Sequence, residues 1–130
     1  MSEARNEEHF YISLRKGITE FNRGYYFEAH DVLEDLWMGT VGEDRLFLQG
    51  LIQVSVGFYH LFNRNFIGAV SQFNKGLSKL ENYFPHHRGV ELSQFTEKVK
   101  GWKMIAERGL NGEDVVLEPK KAPLLCLTEG

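Results

Sequence analysis

Apolar residues recur at intervals of three and four positions along almost the whole chain, and this period constrains the fold more than any other feature of the sequence. No segment alternates apolar and polar residues as a half-buried strand would. The clearest stripe comprises Phe66, Ala69, Val70, Phe73, Leu77, Leu80 and Phe84. The pattern therefore predicts an all-α protein.

The stripes, together with residues that typically begin and end helices, predict five helices over about 6–22, 25–38, 43–63, 65–83 and 89–109. Gly24, Gly39 and Pro85 are stop signals, and Asn65 is the expected N-cap of the fourth helix. Short connections favour antiparallel packing of consecutive helices, so we expect a single bundle. Its core is expected to include Phe66, Phe73, Leu77, Phe95, Val99 and Trp102.

The length of 130 residues fits one domain, and no linker or low-complexity segment divides the chain. We expect a single helical domain over 1–130, with its core over about 6–109. Residues 110–130 are expected to form an extended tail that contains Pro119 and Pro123. Either 115–117 or 124–125 should anchor that tail on the bundle.

Charge and cysteine content limit the classes of partner. The net charge of −3 argues against a nucleic-acid partner, because phosphate binding needs clustered Lys and Arg. A lone Cys126 fits a reducing compartment, and the charged N-terminus does not resemble a signal peptide. The longest apolar stretch, over 46–62, is too short and too polar for a membrane span. We therefore expect a cytoplasmic protein without a membrane or nucleic-acid partner, while a homo-oligomer or a protein partner stays open.

A short internal similarity relates two of the helix connections. Residues 21–29 read FNRGYYFEA, and residues 62–69 read FNRNFIGA, with a slip of one position. Each copy ends one helix and begins another, as in the helix pairs of tetratricopeptide-type repeats. Two imperfect copies are fewer than the three that a solenoid requires.

The third predicted helix is apolar almost all round, and its polar residues fall on one side. At 100° per residue, Gln49, Gln53 and His60 share a sector of about 40°. Gly50 and Gly57 flank this sector and would let another backbone approach closely. We expect Gly57 to lie at a close helix crossing.

The second predicted helix carries a matching feature. His30 lies in its apolar stripe, between Tyr26 and Trp37, and Glu34 follows one turn later. Residues four positions apart on a helix are neighbours, so His30 and Glu34 can contact each other or share a ligand. Trp37 is expected to be largely buried. The two polar stripes are predicted to face each other.

This arrangement permits three interpretations. His30, Glu34 and His60 could bind a divalent metal through three ligands, with Gln49 and Gln53 orienting them from behind. Without metal, the His30–Glu34 pair is a candidate general base. Alternatively, the five residues satisfy one another in a buried structural hydrogen-bond network.

Other candidates carry weaker signals. His86 and His87 follow Pro85 in a predicted loop, where solvent-exposed imidazoles are common. Cys126 has no neighbour that would activate it as a nucleophile.

Two blocks of the sequence resemble the domain-of-unknown-function 309 family. They are FNRGYYFEAHDVLEDLW over 21–37 and FLQGLIQVSVGFYH over 47–60, and the resemblance extends over about 10–85. It implies a small all-α bundle without an established activity. Some members are labelled predicted metal-dependent hydrolases, which implies a metal site among His30, Glu34 and His60. The chain departs from the pattern at Asp31, where the family more often has Glu.

Two functions stay open at this point. The first is a small metal- or ligand-binding domain with hydrolytic activity at the cluster between the second and third helices, where His30, Glu34 and His60 would be catalytic. The second is a non-catalytic, tetratricopeptide-like interaction module. The first requires an opening that reaches the histidines, and the second requires them to be sealed and satisfied.

Overall fold

Five α-helices follow one another in the computed structural model, which describes residues 3–128, and they confirm the predicted all-α class. Each helix begins and ends within a few residues of its predicted bounds. The helices are α1 (Glu3–Asn22), α2 (Tyr26–Met38), α3 (Asp44–Phe62), α4 (Phe66–Leu80) and α5 (Ser93–Leu110). Among the described residues, no helix is long and apolar enough to cross a membrane.

Each helix packs on the helix that follows it, and the shared core lies along α3. Four of the six residues predicted for the core are buried, because the apolar stripes of α4 and α5 face α3 and each other. The buried four are Phe73, Leu77, Phe95 and Val99. Phe66 and Trp102 pack against this core but are only partly buried.

Glycines set the closest helix contact, between α3 and α4. A Cβ atom at Gly57 would lie 2.5 Å from a ring carbon of Phe73, and one at Gly50 would lie 2.8 Å from Leu80. The predicted close crossing at Gly57 is therefore confirmed. The expectation for Trp37 is only partly met, since the ring is half-buried and the guanidinium of Arg45 lies over it at 3.9 Å.

The two similar sequence segments form the same turn. Gly24 and Arg64 both have positive φ, at 83° and 59°, and the next residues, Tyr25 and Asn65, have nearly equal backbone angles. The structural offset is 40 residues, so the α1–α2 and α3–α4 hairpins share one connection. Asn65 is the N-cap of α4, as predicted, because its Oδ1 accepts a hydrogen bond from the Gly68 amide at 3.0 Å.

A small antiparallel hairpin between α4 and α5 is not predicted from the sequence. Its strands are β1 (His86–His87) and β2 (Val90–Glu91). The hairpin delays the start of α5 from about residue 89 to Ser93. Both carboxylate oxygens of Glu91 then cap α5, accepting from the amides of Gln94 and Phe95.

The C-terminal segment packs on the bundle through both of the anchors considered from the sequence. Val115 and Leu125 are buried, whereas Leu124 is exposed. The side chain of Asn22, at the end of α1, both donates to and accepts from the backbone of Leu125, at 2.9 and 2.8 Å. The end of α1 is thereby fastened to the tail.

Candidate functional site

An open cleft lies between the start of α2 and the end of α3, and both predicted histidines contribute to its walls. We call it the His30–His60 cleft; its volume is about 180 Å³. Its lining residues are Tyr26, Phe27, His30, Val56, Tyr59 and His60. Antiparallel packing brings the first turns of α2 beside the last turns of α3, which places two distant sequence blocks at one site.

His30 is the polar centre of the α2 wall. Its Nε2 lies 3.3 Å from a carboxylate oxygen of Glu34, as the spacing of four residues predicts, and its Nδ1 lies 3.2 Å from Asp31. Nδ1 is buried and has no hydrogen-bond partner among the described residues. Glu34 is about half exposed at the rim. His30 is therefore partly buried beside two carboxylates, and the distance from its Nδ1 to Asp31 is that of an ion pair without the geometry of a hydrogen bond.

His60 is held by the turn that follows it. Because the Oδ1 of Asn65 accepts from the Gly68 amide, its Nδ2 is the donor to His60 Nδ1, at 3.3 Å. A neutral His60 ring then carries its proton on Nε2. Gly68 provides the space, since a Cβ there would lie 2.8 Å from the ring. The N-cap of α4 thus orients His60.

The two predicted supporting glutamines, Gln49 and Gln53, are both partly buried on α3. Gln53 Oε1 is buried and unpaired among the described residues, as is the Nε1 of Trp37 on α2. Within the described part of the chain, no hydrogen bond joins His30, Gln53 and His60. The buried hydrogen-bond network, which the sequence left open as an alternative, is therefore not formed among these three residues.

Burial also affects the tyrosine in the floor of the cleft. Desolvation by burial raises the pKa of Tyr26 to about 12. Its ring stacks on Phe58 and Phe62, with centroids 5.4 and 5.9 Å away. Tyr26 therefore links the cleft to the core.

The residues predicted to bind a metal do not form a compact ligand set. Among the described residues, one group of three His, Cys, Asp or Glu side chains places its ligand atoms within 4.8 Å of one another, and it is Glu43, Asp44 and His87. The ligand atoms of His30, Glu34 and His60 do not all lie within 4.8 Å of one another. The geometry at the His30–His60 cleft consequently does not fit a preformed three-ligand metal site.

The Glu43–Asp44–His87 group is not found by sequence reasoning, and it is centred on an ion pair. The carboxylate of Asp44 accepts hydrogen bonds from Arg88 at 2.6 to 3.2 Å and lies 2.7 Å from His87 Nε2. Arg88 also contacts Glu7, at 2.7 Å. No local signal marks this network, because Asp44 is 44 residues from Arg88 in the sequence and Glu7 is 81 residues from Arg88.

Charges within the network account for the pKa shifts there. Burial alone would raise the pKa of Asp44, but hydrogen bonds from Arg88 and His87 outweigh it and lower that pKa below its ordinary value. The pKa of Arg88 is raised, chiefly by its hydrogen bonds to Asp44. Since a guanidinium already neutralises Asp44, the group is explained as a structural ion pair that joins α3 to the hairpin.

A second, wider depression adjoins the His30–His60 cleft, and Tyr26, Phe27 and Tyr59 line both. It measures about 530 Å³ and extends over the α1–α2 turn towards Pro119. Phe27 and Tyr59, 51% and 40% exposed, have ring centroids 5.6 Å apart. The cleft therefore opens onto a surface rich in exposed aromatic rings.

The fold and this site define the class: a small protein of consecutive antiparallel helices, with an open cleft where the second and third helices pack. Residues 14–72 match the model of the family described as Domain of unknown function (DUF309). The match confirms the resemblance of this segment to that family. The match covers both of the similar helix turns and every residue that lines the His30–His60 cleft. No curated protein matches the chain.

Proposed function

We propose that this protein binds a small organic ligand in the His30–His60 cleft. The carrying observation is that His30, in the wall of this cleft, has a buried Nδ1 without a hydrogen-bond partner among the described residues. Buried polar groups are nearly always hydrogen-bonded, and leaving one unpaired costs about 1–3 kcal/mol. Such a cost is common at binding and catalytic sites, where a ligand or water supplies the missing partner.

Access supports binding over a purely structural role. The cleft is open, and His30 and His60 both lie in its walls instead of being sealed behind them. A structural network would have paired His30 and Gln53 with each other or with neighbours. The site instead combines apolar walls with few polar groups, which is typical of small-molecule pockets.

The His30–Glu34 contact is the part of the site that could take part in acid–base chemistry. A carboxylate oxygen of Glu34 that lies 3.3 Å from Nε2 can hold the imidazole in one orientation. In this proposal His30 exchanges a proton with the bound ligand, and Glu34 orients His30. Hydrolysis, which the family resemblance implies, would proceed by this acid–base route, because the cleft residues do not fit a preformed metal site.

The volume limits the ligand. A cavity of roughly 150 Å³ holds benzene, so about 180 Å³ holds one compact group of similar size. A larger ligand would extend into the wider depression beyond Phe27 and Tyr59. We expect its compact part to occupy the His30–His60 cleft.

A fragment screen followed by NMR tests the proposal. Fragments that bind should shift the side-chain signals of His30, His60 and Tyr59 together. Val56→Phe should abolish these shifts, because the larger side chain fills the cleft. Val41→Phe is the matched control, since Val41 is 85% exposed and lies outside the cleft. Fragments that bind Val56→Phe as well as wild type would show that the cleft is not the site.

The metal version of the function has its own test. Elemental analysis of untagged protein, with His30→Ala beside it, reports whether stoichiometric metal depends on His30. We expect no His30-dependent metal, because the three ligand atoms are not preassembled. One equivalent of zinc that is lost in His30→Ala would contradict this expectation and favour the metallohydrolase function.

An interaction module is the second candidate function, and the exposed aromatic surface around Tyr25, Phe27 and Tyr59 favours it. A partner protein, or a second copy of the chain, could insert a side chain into the same cleft. Light scattering at increasing protein concentration tests self-association. A dimer that Phe27→Ser disrupts would support this alternative. The cytoplasmic location and the lack of a nucleic-acid partner stay predictions.

A further inference from the structure

We infer that the preferred ligand group of the His30–His60 cleft is an alkylated ammonium cation. This inference rests on the proposed function, since it names the chemistry of the ligand at that same site. Three features carry it: the arrangement of the rings, the charge around His30 and the absence of cationic side chains from the described walls.

The rings form adjacent walls instead of a stack. Phe27 lies 5.8 Å from His30 at an interplanar angle of 49°, and 5.6 Å from Tyr59 at 54°. Tyr59 is inclined at 59° to His60, whose centroid is 5.8 Å away. Tyr26 completes the lining. Inclined aromatic rings around a small space are the arrangement that recognises methylated ammonium groups, because the negative faces of the rings attract the cation.

The charges near the cleft favour a cation. Carboxylate oxygens of Asp31 and Glu34 lie 3.2 and 3.3 Å from the two nitrogens of His30. Glu28 lines the adjoining depression. No Lys or Arg occurs among the described residues that line either space. An anionic ligand would be repelled by Glu28 in the adjoining depression and by the carboxylates of Asp31 and Glu34 beside His30, whereas a cation would be attracted.

Size agrees with the same ligand. A trimethylammonium group is compact and comparable to benzene, which suits a space of about 180 Å³. The substituent that carries it would leave through the wider depression. The shared chemistry fits a free small molecule such as choline and also a trimethylated lysine on a peptide.

Paired ligands of equal shape provide the test. Choline and its neutral isostere 3,3-dimethyl-1-butanol differ in charge but hardly in size, and NMR titration of the full chain gives both dissociation constants. We expect choline to bind about tenfold more tightly than the neutral alcohol. A trimethyllysine peptide and its unmodified form, titrated in the same way, distinguish a peptide source from a free small molecule.

Matched variants separate the two contributions. Phe27→Leu should weaken choline binding about fivefold, because one aromatic wall is lost, while Phe84→Leu on another exposed surface should not. Glu34→Gln should weaken choline but leave the neutral alcohol unaffected, and Glu97→Gln is its control. The side chains of Glu34 and Glu97 are both about half exposed or more, so these two variants should fold normally.

Each outcome is decisive. Choline binding that depends on Phe27 and Glu34 supports the inference. If the neutral alcohol binds as tightly as choline, the cation preference is wrong but the cleft remains a binding site. If neither ligand shifts the cleft signals, the inference is also overturned, and the fragment screen with Val56→Phe then decides the proposed function independently.

Discussion

Replacing Gly57 by alanine should destabilise the protein, although alanine is normally the better helix residue. The added Cβ would lie 2.5 and 2.6 Å from two ring carbons of Phe73, where ordinary contact begins near 3.4 Å. Phe73 is fully buried and packs edge-on against Phe58 at 4.9 Å, so its ring cannot retreat freely. Such overpacking typically costs 1–3 kcal/mol.

Helix propensity acts in the opposite direction. Glycine to alanine in a helix interior gains about 1 kcal/mol. With an overpacking cost near the upper end of its range, we expect a net loss of about 2 kcal/mol for Gly57→Ala. The loss should be larger for Gly57→Leu, at several kcal/mol. Gly101 provides the matched control, because a Cβ there meets nothing within 4 Å. Gly101→Ala should therefore stabilise the protein by about 1 kcal/mol.

Urea denaturation followed by circular dichroism measures both variants against wild type. The two alanine variants should differ by about 3 kcal/mol in unfolding free energy. If Gly57→Ala is as stable as wild type, then α3 and α4 do not pack as closely as described. If Gly101→Ala is also destabilised, the propensity argument fails instead.

Three further predictions concern other parts of the fold. Asp44→Asn should cost about 2 kcal/mol at pH 7, because Arg88 loses a charged partner. Since the folded pKa of Asp44 is lowered, this stabilisation exists above about pH 4 and disappears as the pH falls through the folded pKa; urea unfolding at pH 7 and pH 3 measures it. Gly24→Ala should cost about 1 kcal/mol in the same assay, because its φ of +83° is unfavourable for a residue with a Cβ atom. The added Cβ would meet nothing within 4 Å, so steric contact adds no further cost. Asn22→Ala should cost about 1–2 kcal/mol and accelerate hydrogen exchange at the Leu125 amide.

Different results would contradict each of these predictions. An Asp44→Asn variant that loses as much stability as wild type between pH 7 and pH 3 would show that this ion pair does not contribute to acid sensitivity. A Gly24→Ala variant with unchanged stability would mean that the turn can relax. Unchanged exchange at Leu125 in Asn22→Ala would mean that burial alone holds the tail.

The helices could be predicted because their information is local. The stripe that contains Phe73 and Leu77 repeats within one segment, and Asn65 caps the helix that begins beside it. The β1–β2 hairpin could not be predicted, since strands of two residues are too short to show a period. The ion pair of Asp44 and Arg88 could not be predicted either, because residues so far apart in the sequence share no local pattern.

The site was predictable to the level of helix faces. Facing polar stripes indicated that His30 and His60 would meet at one place, and both do line one cleft. Helix periodicity does not, however, fix where a side chain points. His60 accepts a hydrogen bond from the side-chain amide of Asn65, the N-cap of α4. Glu34 extends to the exposed rim of the cleft. For that reason a three-ligand arrangement could be drawn from the sequence although the atoms are not within metal-binding range.

Glycine contacts interlock some of the helix pairs of the bundle and not others. A Cβ at Gly17 would meet Leu33 at 2.6 Å, which interlocks α1 with α2, while Gly50 and Gly57 interlock α3 with α4. No glycine in the described chain has such a contact across the α2–α3 seam, where the cleft lies. Helices that pack without such glycine interlocks can shear slightly against each other. Amide exchange should therefore be faster along the seam than at the glycine crossings, and an occupant of the cleft should slow it by bridging the two halves.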